Sequence, residues 1–482
     1  MKRIVTLALA LALVMAWAAA ASAEVVVKAK GEFTVNANLV NNFNLDRNGA
    51  NTDAYDDFAV YERARIDFRF VANENLEGIF YMEYGTSHWG SPGVFDINTS
   101  GRTPGIKVKR AYVSFRWPDT DVLFNLGYQN VALPSAYEGG WVLNNDAAAA
   151  VVSTPITDMF SVTAGYVRAF DQAASKGAGE NNDVDASANQ RRKSEEVDLG
   201  FLAVPITPEG VDFTPWFLYG YAGSNATTSP SFDLANGLLT PNSTGFGGEG
   251  ANMYWAGAAL TMDMFDPFVV MLDFAWGQKT SPVKQLRREG WFMDLAVQYA
   301  GLDFMTPEFV FAYGSGENDK WDDGSERMPV LSNDGSWAVG SYFFGGSELL
   351  EGDMADVSNV GFWTVGLQLK DITFIDKLSH AFNVLYVRGT NDHKLLKENP
   401  GRAATMVGFD NGITYGRTLF DKDSLWEVDL NHRYQIYEEL AAIVELSWVY
   451  ADFDEDTWNK VDASYGGLQQ SWKLALGAVY EF

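Results

Sequence analysis

Apolar and polar residues alternate with a period of two at the C-terminus of the chain. One parity consists of Trp472, Leu474, Leu476, Ala478, Tyr480 and Phe482, and the other of Lys473, Ala475, Gly477, Val479 and Glu481. Successive side chains of a strand point to opposite faces, so the segment is predicted to be a β-strand with one apolar face. An unpaired strand of this kind is prone to aggregate. The pattern therefore favours a closed barrel with lipid outside and water inside.

The same alternation recurs upstream, and its apolar parity repeatedly ends in an aromatic residue. It is clearest in residues 64–70, 268–276, 291–299 and 442–450. Aromatic rings at the ends of apolar stripes suit the boundary between lipid headgroups and hydrocarbon. These segments are therefore predicted to be membrane-spanning strands.

Short and long connections alternate along the chain. Eight short segments contain turn residues or charged pairs, at 73–75, 118–120, 155–158, 206–210, 264–267, 300–303, 371–376 and 437–439. The connections between them are long and polar, as in barrels with short periplasmic turns and long extracellular loops. We predict an all-β, antiparallel transmembrane barrel of 18 strands, or of 16 if residues 144–154 form a loop. Residues 25–40 are predicted to pair with the last strand and close the barrel.

The N-terminus indicates export. Lys2 and Arg3 precede an apolar stretch over residues 4–20, and the small residues 21–23 follow it. This order predicts a secretory signal peptide over residues 1–23, which leaves residues 24–482 as a single barrel domain. No later segment contains the roughly 20 apolar residues that a membrane helix needs.

Composition narrows the classes of partner. The chain has no cysteine, so its stability must come from packing and backbone pairing. Its formal net charge of −28 argues against nucleic acid as a partner. The acidic residues concentrate in the long connections, where they serve solubility or bridge divalent cations to anionic lipopolysaccharide.

The sequence contains no recognisable catalytic motif. Its four histidines are far apart, and neither a His-Glu-x-x-His nor a Gly-x-Ser-x-Gly pattern occurs. The spacing of Asp452, Asp454 and Asp456 is similar to that of a calcium loop, but Thr457 and Ala463 replace its glycine and its final glutamate. We therefore expect no enzymatic activity, no cofactor and no dedicated metal site, with weak calcium binding in the acidic loops still open.

Basic residues cluster on the polar parity of two predicted strands. They are Arg63, Arg65 and Arg69 on the second strand and Arg110 and Arg116 on the fourth. Lys107 and Lys109 share the apolar parity and are expected near the loop end of the strand. Arginine and lysine side chains at a constriction favour anions. The alternative is that these residues pair with Asp67 or Glu83 and only stabilise the wall.

The connection at residues 130–146 combines acidic and apolar residues. Its acids are Glu138 and Asp146, and its apolar anchors are Leu133, Tyr137 and Trp141. If the loop folds into the barrel, it would bring its carboxylates opposite the arginines and create a transverse field. The alternative is a surface loop at a subunit contact.

Together, the signal peptide, the alternating strands, the terminal Phe482 and the loop after strand five resemble the general porins of Gram-negative outer membranes. The chain resembles more closely the homotrimeric porins of sulfate-reducing bacteria. The resemblance implies a trimer in the outer membrane, in contact with lipid and lipopolysaccharide. It also implies a constriction in which the loop acids Glu138 and Asp146 face the arginine wall. Tyr480 and Phe482 are similar to the C-terminal signal that the barrel-assembly machinery reads, whereas the loop lacks the Pro-Glu-Phe-Gly-Gly signature of general porins.

These features predict a passive diffusion channel for ions and small hydrophilic solutes, narrowed by the inward loop. One alternative is a channel specific for sugars or carboxylates, in which Tyr81, Trp216 and Phe292 would form an aromatic slide. Another is a structural or adhesive protein of the outer membrane. A secreted soluble β protein is less consistent with the apolar strand faces.

Overall fold

The computed structural model of this protein describes residues 25–42, 45, 58–91, 105–140, 142–171, 196–224, 226, 237–240, 250–331, 337–350, 361–407 and 413–482. The predicted signal peptide and Trp141 lie outside these residues. The described residues form eighteen strands: β1 Val26–Asn41, β2 Phe58–Asn73, β3 Leu76–His88, β4 Ile106–Arg116, β5 Leu123–Ala132, β6 Asn144–Thr157, β7 Phe160–Asp171, β8 Glu196–Ala203, β9 Val211–Ala222, β10 Ala251–Phe265, β11 Phe268–Lys279, β12 Arg288–Tyr299, β13 Thr306–Gly314, β14 Phe362–Ile375, β15 Leu378–Gly389, β16 Ser424–Tyr437, β17 Leu440–Phe453 and β18 Gly467–Glu481.

All eighteen strands belong to one closed antiparallel sheet. Each strand pairs with its neighbours in sequence, and β18 pairs with β1 through a register that includes Val35 opposite Ala478. The backbone N–H of Phe482 donates to the carbonyl of Gly31 at 3.0 Å, and that of Gly31 donates to Phe482 at 2.9 Å. The predicted strand number and the predicted pairing of the two ends are both confirmed, and the weak segment 144–154 lies within β6.

The two faces of the sheet differ as the alternation predicts. On β1, Phe33, Val35 and Leu39 are exposed on the outer face, whereas Thr34 and Asn36 are buried on the inner face. Near the short turns, the ring of Phe33 stacks with those of Tyr480 and Phe482. An apolar outer face with aromatic residues near its edge suits contact with lipid.

Short connections lie where the sequence predicts them, with two shifts. The turn predicted at 155–158 is displaced, because β6 continues to Thr157. The turn predicted at 371–376 is shorter, because β14 continues to Ile375. The register of β14 against β15 shifts twice after Leu369. Extra residues of this kind interrupt the alternation without ending the strand, and they therefore resemble a turn in the sequence.

An apolar core occupies part of the interior, which the alternation does not predict. Trp255 and Phe292 point inward from the wall, and both are fully buried. They belong to a hydrophobic core that includes Trp337 and Phe343, from the connection between β13 and β14. On this side folded loops, and not water, therefore cover the inner face.

The helices of the described residues are short and lie in long connections. They are a 3-10 helix at Lys284–Leu286 and the α-helices α1 Lys394–Glu398, α2 Pro400–Met406 and α3 Glu455–Trp458. Among the described residues, no helix is long and apolar enough to cross a membrane.

Candidate pore constriction

The β5–β6 loop, described at residues 133–140, 142 and 143, folds into the barrel and reaches the far wall. The carboxylate of Asp273 on β11 accepts hydrogen bonds from the backbone N–H groups of Ala136, at 2.8 Å, and Tyr137, at 3.0 Å. It also accepts one from the hydroxyl of Ser135 at 2.8 Å. One buried wall carboxylate thus satisfies three donors of the loop, and such charge-assisted bonds are stronger than neutral ones.

Tyr137 extends this anchor to two further strands. Its hydroxyl donates to Glu308 on β13 at 2.5 Å and accepts from the amide of Gln368 on β14 at 2.8 Å. Leu133 and Tyr137 are both buried, as expected of packed anchors. The predicted inward folding of this loop is confirmed.

The β13–β14 loop, residues 315–361, contributes a second inward segment within its described part. Its described residues 337–350 lie against the inner faces of the strands near the C-terminus. Glu427 on β16 accepts from the backbone N–H groups of Tyr342 and Phe343 at 3.0 and 2.9 Å. Asp429 accepts from the N–H of Ser341 at 3.1 Å, and Glu445 accepts from that of Glu348 at 2.7 Å. The wall therefore holds this loop in the same way that Asp273 holds the β5–β6 loop.

A buried ion pair completes the second anchor. Lys473 on β18 lies 2.9 Å from Glu445 on β17, and the two side chains are 0% and 1% exposed. The ammonium group of Lys473 also donates to the carbonyl of Ser341 in the loop. Loss of one partner would leave the other charge buried and unpaired.

The two inward loops contact each other inside the barrel. The ring of Tyr137 meets the ring of Trp337 edge to face at a centroid distance of 6.2 Å. The N–H of Ala338 donates to the carbonyl of Glu138 at 3.2 Å, and the N–H of Leu331 donates to that of Val142 at 2.9 Å. Together the loops contact the inner wall at strands between β11 and β18.

Charged residues occupy the opposite inner wall, on β1 to β4. Arg63 lies 2.8 Å from Glu32 on β1. Arg65 lies 2.8 Å from Glu83 on β3 and 3.8 Å from Glu32. Two of the arginines predicted from the sequence therefore form ion pairs with carboxylates on the neighbouring strands β1 and β3.

A bulge brings two lysines into the same group. Tyr81 pairs with Arg110 and Met82 with Val108, so Lys109 is an extra residue in β4. The bulge exchanges the two faces to which side chains of β4 point. Lys107 therefore points inward and lies 3.2 Å from Glu83. The expectation that both lysines follow the apolar parity is wrong, because one inserted residue exchanges the two faces of a strand. We refer to Arg63, Arg65, Lys107, Lys109 and Arg110 as the basic cluster.

Asp146 belongs to the wall and not to the loop. It is the third residue of β6, where it lies 2.8 Å from Arg110 and 3.8 Å from Lys109. Its predicted position as a constriction-loop acid is therefore wrong, because the loop ends before β6 begins at Asn144. Asp146 nevertheless meets one of the predicted arginines.

Glu138 is on the inward loop but does not pair with the predicted arginines. Its carboxylate lies 3.3 Å from Lys370 on β14, which also lies 2.8 Å from Glu308. The loop acid is therefore neutralised on the far wall. The carboxylates that pair with the basic cluster come from β1, β3 and β6.

The two remaining arginines lie apart from the basic cluster. Arg69 pairs with Asp67 and Glu77 at 3.4 Å, roughly 13 Å along β2 from Arg65. Arg116 ends β4, roughly 20 Å along the strand from Arg110, and lies 3.5 Å from Asp121 near the adjacent turn. Neither belongs to the narrow group around Glu83.

Solvent access distinguishes the two sides of the interior. The side chains of Lys107 and Arg110 are 64% and 37% exposed. On the far wall, Glu308 and Lys473 are 0% exposed because the inward loops cover them. Within the basic cluster, Arg63 and Arg65 are only 11% and 15% exposed, so solvent reaches the cluster mainly on the β4 side.

The aromatic slide suggested by the sequence does not form. Trp216 and Phe292 are buried beneath the inward loops. Tyr81 lies in the basic cluster, where the guanidinium of Arg110 is 5.1 Å from its ring centroid. Of the three aromatics, only Tyr81 lies beside the basic cluster.

Sequence reasoning missed the wall residues that hold the loops, which are Asp273, Glu308, Glu427, Asp429, Glu445 and Lys473. Each is a charged side chain on the inner parity of a strand. Burial of a charge without a partner costs free energy, so a charged residue at such a position predicts that a partner exists. The partners are distant in sequence, and only the fold identifies them.

Comparisons with known proteins support the fold. Neither a protein-family model nor a curated protein matches the sequence. The structure is similar to OpdQ of Pseudomonas aeruginosa, with a TM-score of 0.50 and 10% identity over 95% of this chain and 98% of that one. An anion-selective porin from Comamonas acidovorans, at 10% identity, gives a TM-score of 0.41 over 95% of this chain and 100% of that one. The outer membrane channel DcaP of Acinetobacter baumannii, also at 10% identity, gives 0.42 over 95% of this chain and 97% of that one. At this identity, the likeness to OpdQ establishes the barrel fold alone.

Proposed function

We propose that this protein is an outer-membrane diffusion channel that passes small hydrophilic ions and solutes. The observation that carries the proposal is the solvent-exposed charge on the inner face of a closed barrel whose outer face is apolar. Lipid on the outside and water on the inside are the two environments that this arrangement suits. The long connections would then face the outside of the cell and the short turns the periplasm.

We propose further that the path prefers anions. The basic cluster supplies five cations, and three carboxylates lie among them: Glu32, Glu83 and Asp146. These eight described side chains sum to a charge of +2, in a chain whose formal net charge is −28. A positive constriction attracts anions and raises the barrier for cations.

The assembly is proposed to be a homotrimer like the porins of sulfate-reducing bacteria, on the basis of the sequence resemblance. Tyr480 and Phe482 would act as the assembly signal, and lipid and lipopolysaccharide would surround the barrel. Fixed charges are sufficient for such a channel, so we propose no enzymatic role, no cofactor and no nucleic-acid partner.

A second candidate is a channel specific for small carboxylates. The pairing of the basic cluster favours it, because ordered guanidinium groups can hold a carboxylate in two hydrogen bonds. The sugar-specific alternative has less support, since Trp216 and Phe292 are buried and unavailable for stacking.

Planar-bilayer recording of the purified protein tests the proposal. A diffusion channel gives stepwise conductance, in groups of three if the trimer forms, and the current rises linearly with solute concentration. A carboxylate-specific channel gives a current that saturates and that competing carboxylates block. Absence of any conductance from correctly folded protein would reject both and leave a structural or adhesive role.

A further inference from the structure

Three potential metal ligands meet in the long connection between β15 and β16. The Nδ1 atom of His393 lies 2.9 Å from a carboxylate oxygen of Asp421 and 3.5 Å from one of Asp392. The three ligand atoms all lie within 4.8 Å of one another. Ligands at about 2.1 Å from a tetrahedral metal are separated by about 3.4 Å, so the spacing fits a single ion.

The backbone beneath these ligands is fixed by hydrogen bonds. The N–H of Asp421 donates to the carbonyl of Asn391 at 2.7 Å, and the N–H of Asp392 donates to that of Glu317 at 2.8 Å. Asn391 is 1% exposed, and its side-chain amide donates to the carbonyl of Leu419 at 2.7 Å. The two arms of the connection are thus already held together, and ligand binding would cost little conformational entropy.

Solvent can reach the three side chains. His393 is 15% exposed, Asp392 is 32% exposed and Asp421 is 45% exposed. A bound ion would therefore keep open positions for water. With the imidazole neutral, the three groups carry a charge of −2, which a divalent cation balances.

We propose that Asp392, His393 and Asp421 form a binding site for a divalent transition-metal ion, with Zn²⁺ as the best match. One imidazole and two carboxylates suit Zn²⁺, whereas Ca²⁺ and Mg²⁺ prefer oxygen ligands throughout. The inference is independent of the channel function. Bound metal would clamp the two arms of the connection, one carrying Asp392 and His393 and the other carrying Asp421.

This site differs from the calcium loop considered from the sequence. Asp454, the central acid of that motif, precedes α3 and accepts a hydrogen bond from the hydroxyl of Thr457. It also lies 3.9 Å from Lys422. The calcium-like motif therefore lies at the end of β17 and in the β17–β18 connection, and it contributes no ligand to the proposed site.

Calorimetric titration of the detergent-folded full chain with Zn²⁺, after removal of metal by EDTA, tests the proposal. His380 and His432 must first be replaced by alanine, because their Nδ1 atoms lie 2.6 Å apart and offer a competing donor pair. In this background we expect one Zn²⁺ per chain. His393→Ala should abolish binding, and Asp421→Asn should weaken it at least about tenfold. Excess Ca²⁺ should not displace the ion.

A matched control and a second probe make the result decisive. His88→Ala removes a histidine at the end of β3 and should leave Zn²⁺ binding unchanged. Co²⁺ should give visible absorption bands of a low-symmetry site, which His393→Ala removes. Heat-dependent gel mobility shows whether each variant has folded. The proposal is wrong if the folded background protein binds no Zn²⁺, if His393→Ala binds as tightly as its parent, or if Ca²⁺ competes.

Discussion

The guanidinium of Arg110 on β4 donates a 2.8 Å hydrogen bond to the carboxylate of Asp146 on β6, across the intervening strand β5. The pair lies on the inner wall at the edge of the basic cluster. In the proposed channel, wall residues therefore determine the charge along the path, and the inward loops determine the width of the path. The two properties can therefore be changed separately by mutation.

Glu83 tests the charge of the wall. Its carboxylate lies 2.8 Å from Arg65 and 3.2 Å from Lys107. Glu83→Gln should raise the preference for anions, because it removes a negative charge from a positive cluster. The reversal potential in a salt gradient measures the change. Glu74→Gln, in an exposed short turn, is the control and should have no effect. Equal reversal potentials for Glu83→Gln and the wild type would contradict the prediction.

A substitution at Gly31 tests whether the pairing of β1 with β18 closes the barrel. A Cβ atom on Gly31 would lie 2.3 Å from the carbonyl oxygen of Arg65 and 3.1 Å from the ring of Phe482. Gly31→Ala should therefore lower the folded fraction in refolding assays with heat-dependent gel mobility. Gly78→Ala is the matched control, since its nearest neighbour would be 3.9 Å away. The closure argument does not survive if the two variants fold equally well.

Lys473 tests the second loop anchor. Lys473→Met leaves the buried carboxylate of Glu445 unpaired, and we expect a loss of about 3–5 kcal/mol in the free energy of unfolding. Urea titration in lipid vesicles measures this loss. Lys422→Met removes a more exposed pair at 3.9 Å from Asp454 and should cost less than about 1 kcal/mol. Similar losses for both variants would show that the buried pair does not anchor the loop.

Asp423, between the β15–β16 connection and β16, predicts a pH dependence of stability. Burial raises its pKa from 3.8 to about 7, against the effect of hydrogen bonds from the N–H groups of Asp454, Trp458 and Phe420. Between these pKa values the folded state keeps a proton that the unfolded state has released. Its contribution to stability therefore falls as pH rises from about 4 to 7 and is constant above that range.

The size of this effect is on the order of 4 kcal/mol. Asp423→Asn should remove it, so the difference in unfolding free energy between wild type and variant should change between pH 5 and pH 8. The wild type should be the relatively less stable of the two at pH 8. A difference that stays constant over this range would contradict the assignment.

The outer half of the fold could be predicted from the sequence for a physical reason. Lipid requires that every strand has an apolar face and that both of its edges are paired. Alternation and loop length together therefore indicate the strand number and the pairing of β18 with β1. The inward position of Tyr137 followed from its apolar character in an otherwise polar connection.

The inner half depends on contacts between residues that are distant in sequence. Nothing in the local pattern pairs Asp273 with the backbone of Ala136, or Glu427 with that of Tyr342. The bulge at Lys109 inserts one residue into a strand of ordinary composition, so its reversal of parity is visible only in the register. The bulge explains why the parity predicts the wrong face for Lys107. Asp146 lies where the predicted loop at 130–146 overlaps the predicted strand at 144–154, and the strand is the element that forms.

The reversal potential across a salt gradient tests the central claim that the basic cluster determines which ions pass. The wild type should prefer anions, and the triple variant Arg63→Gln/Arg65→Gln/Arg110→Gln should shift the reversal potential toward cation preference. Lys377→Gln, in a short turn, should leave it unchanged. A triple variant that folds and conducts with the reversal potential of the wild type would contradict the account.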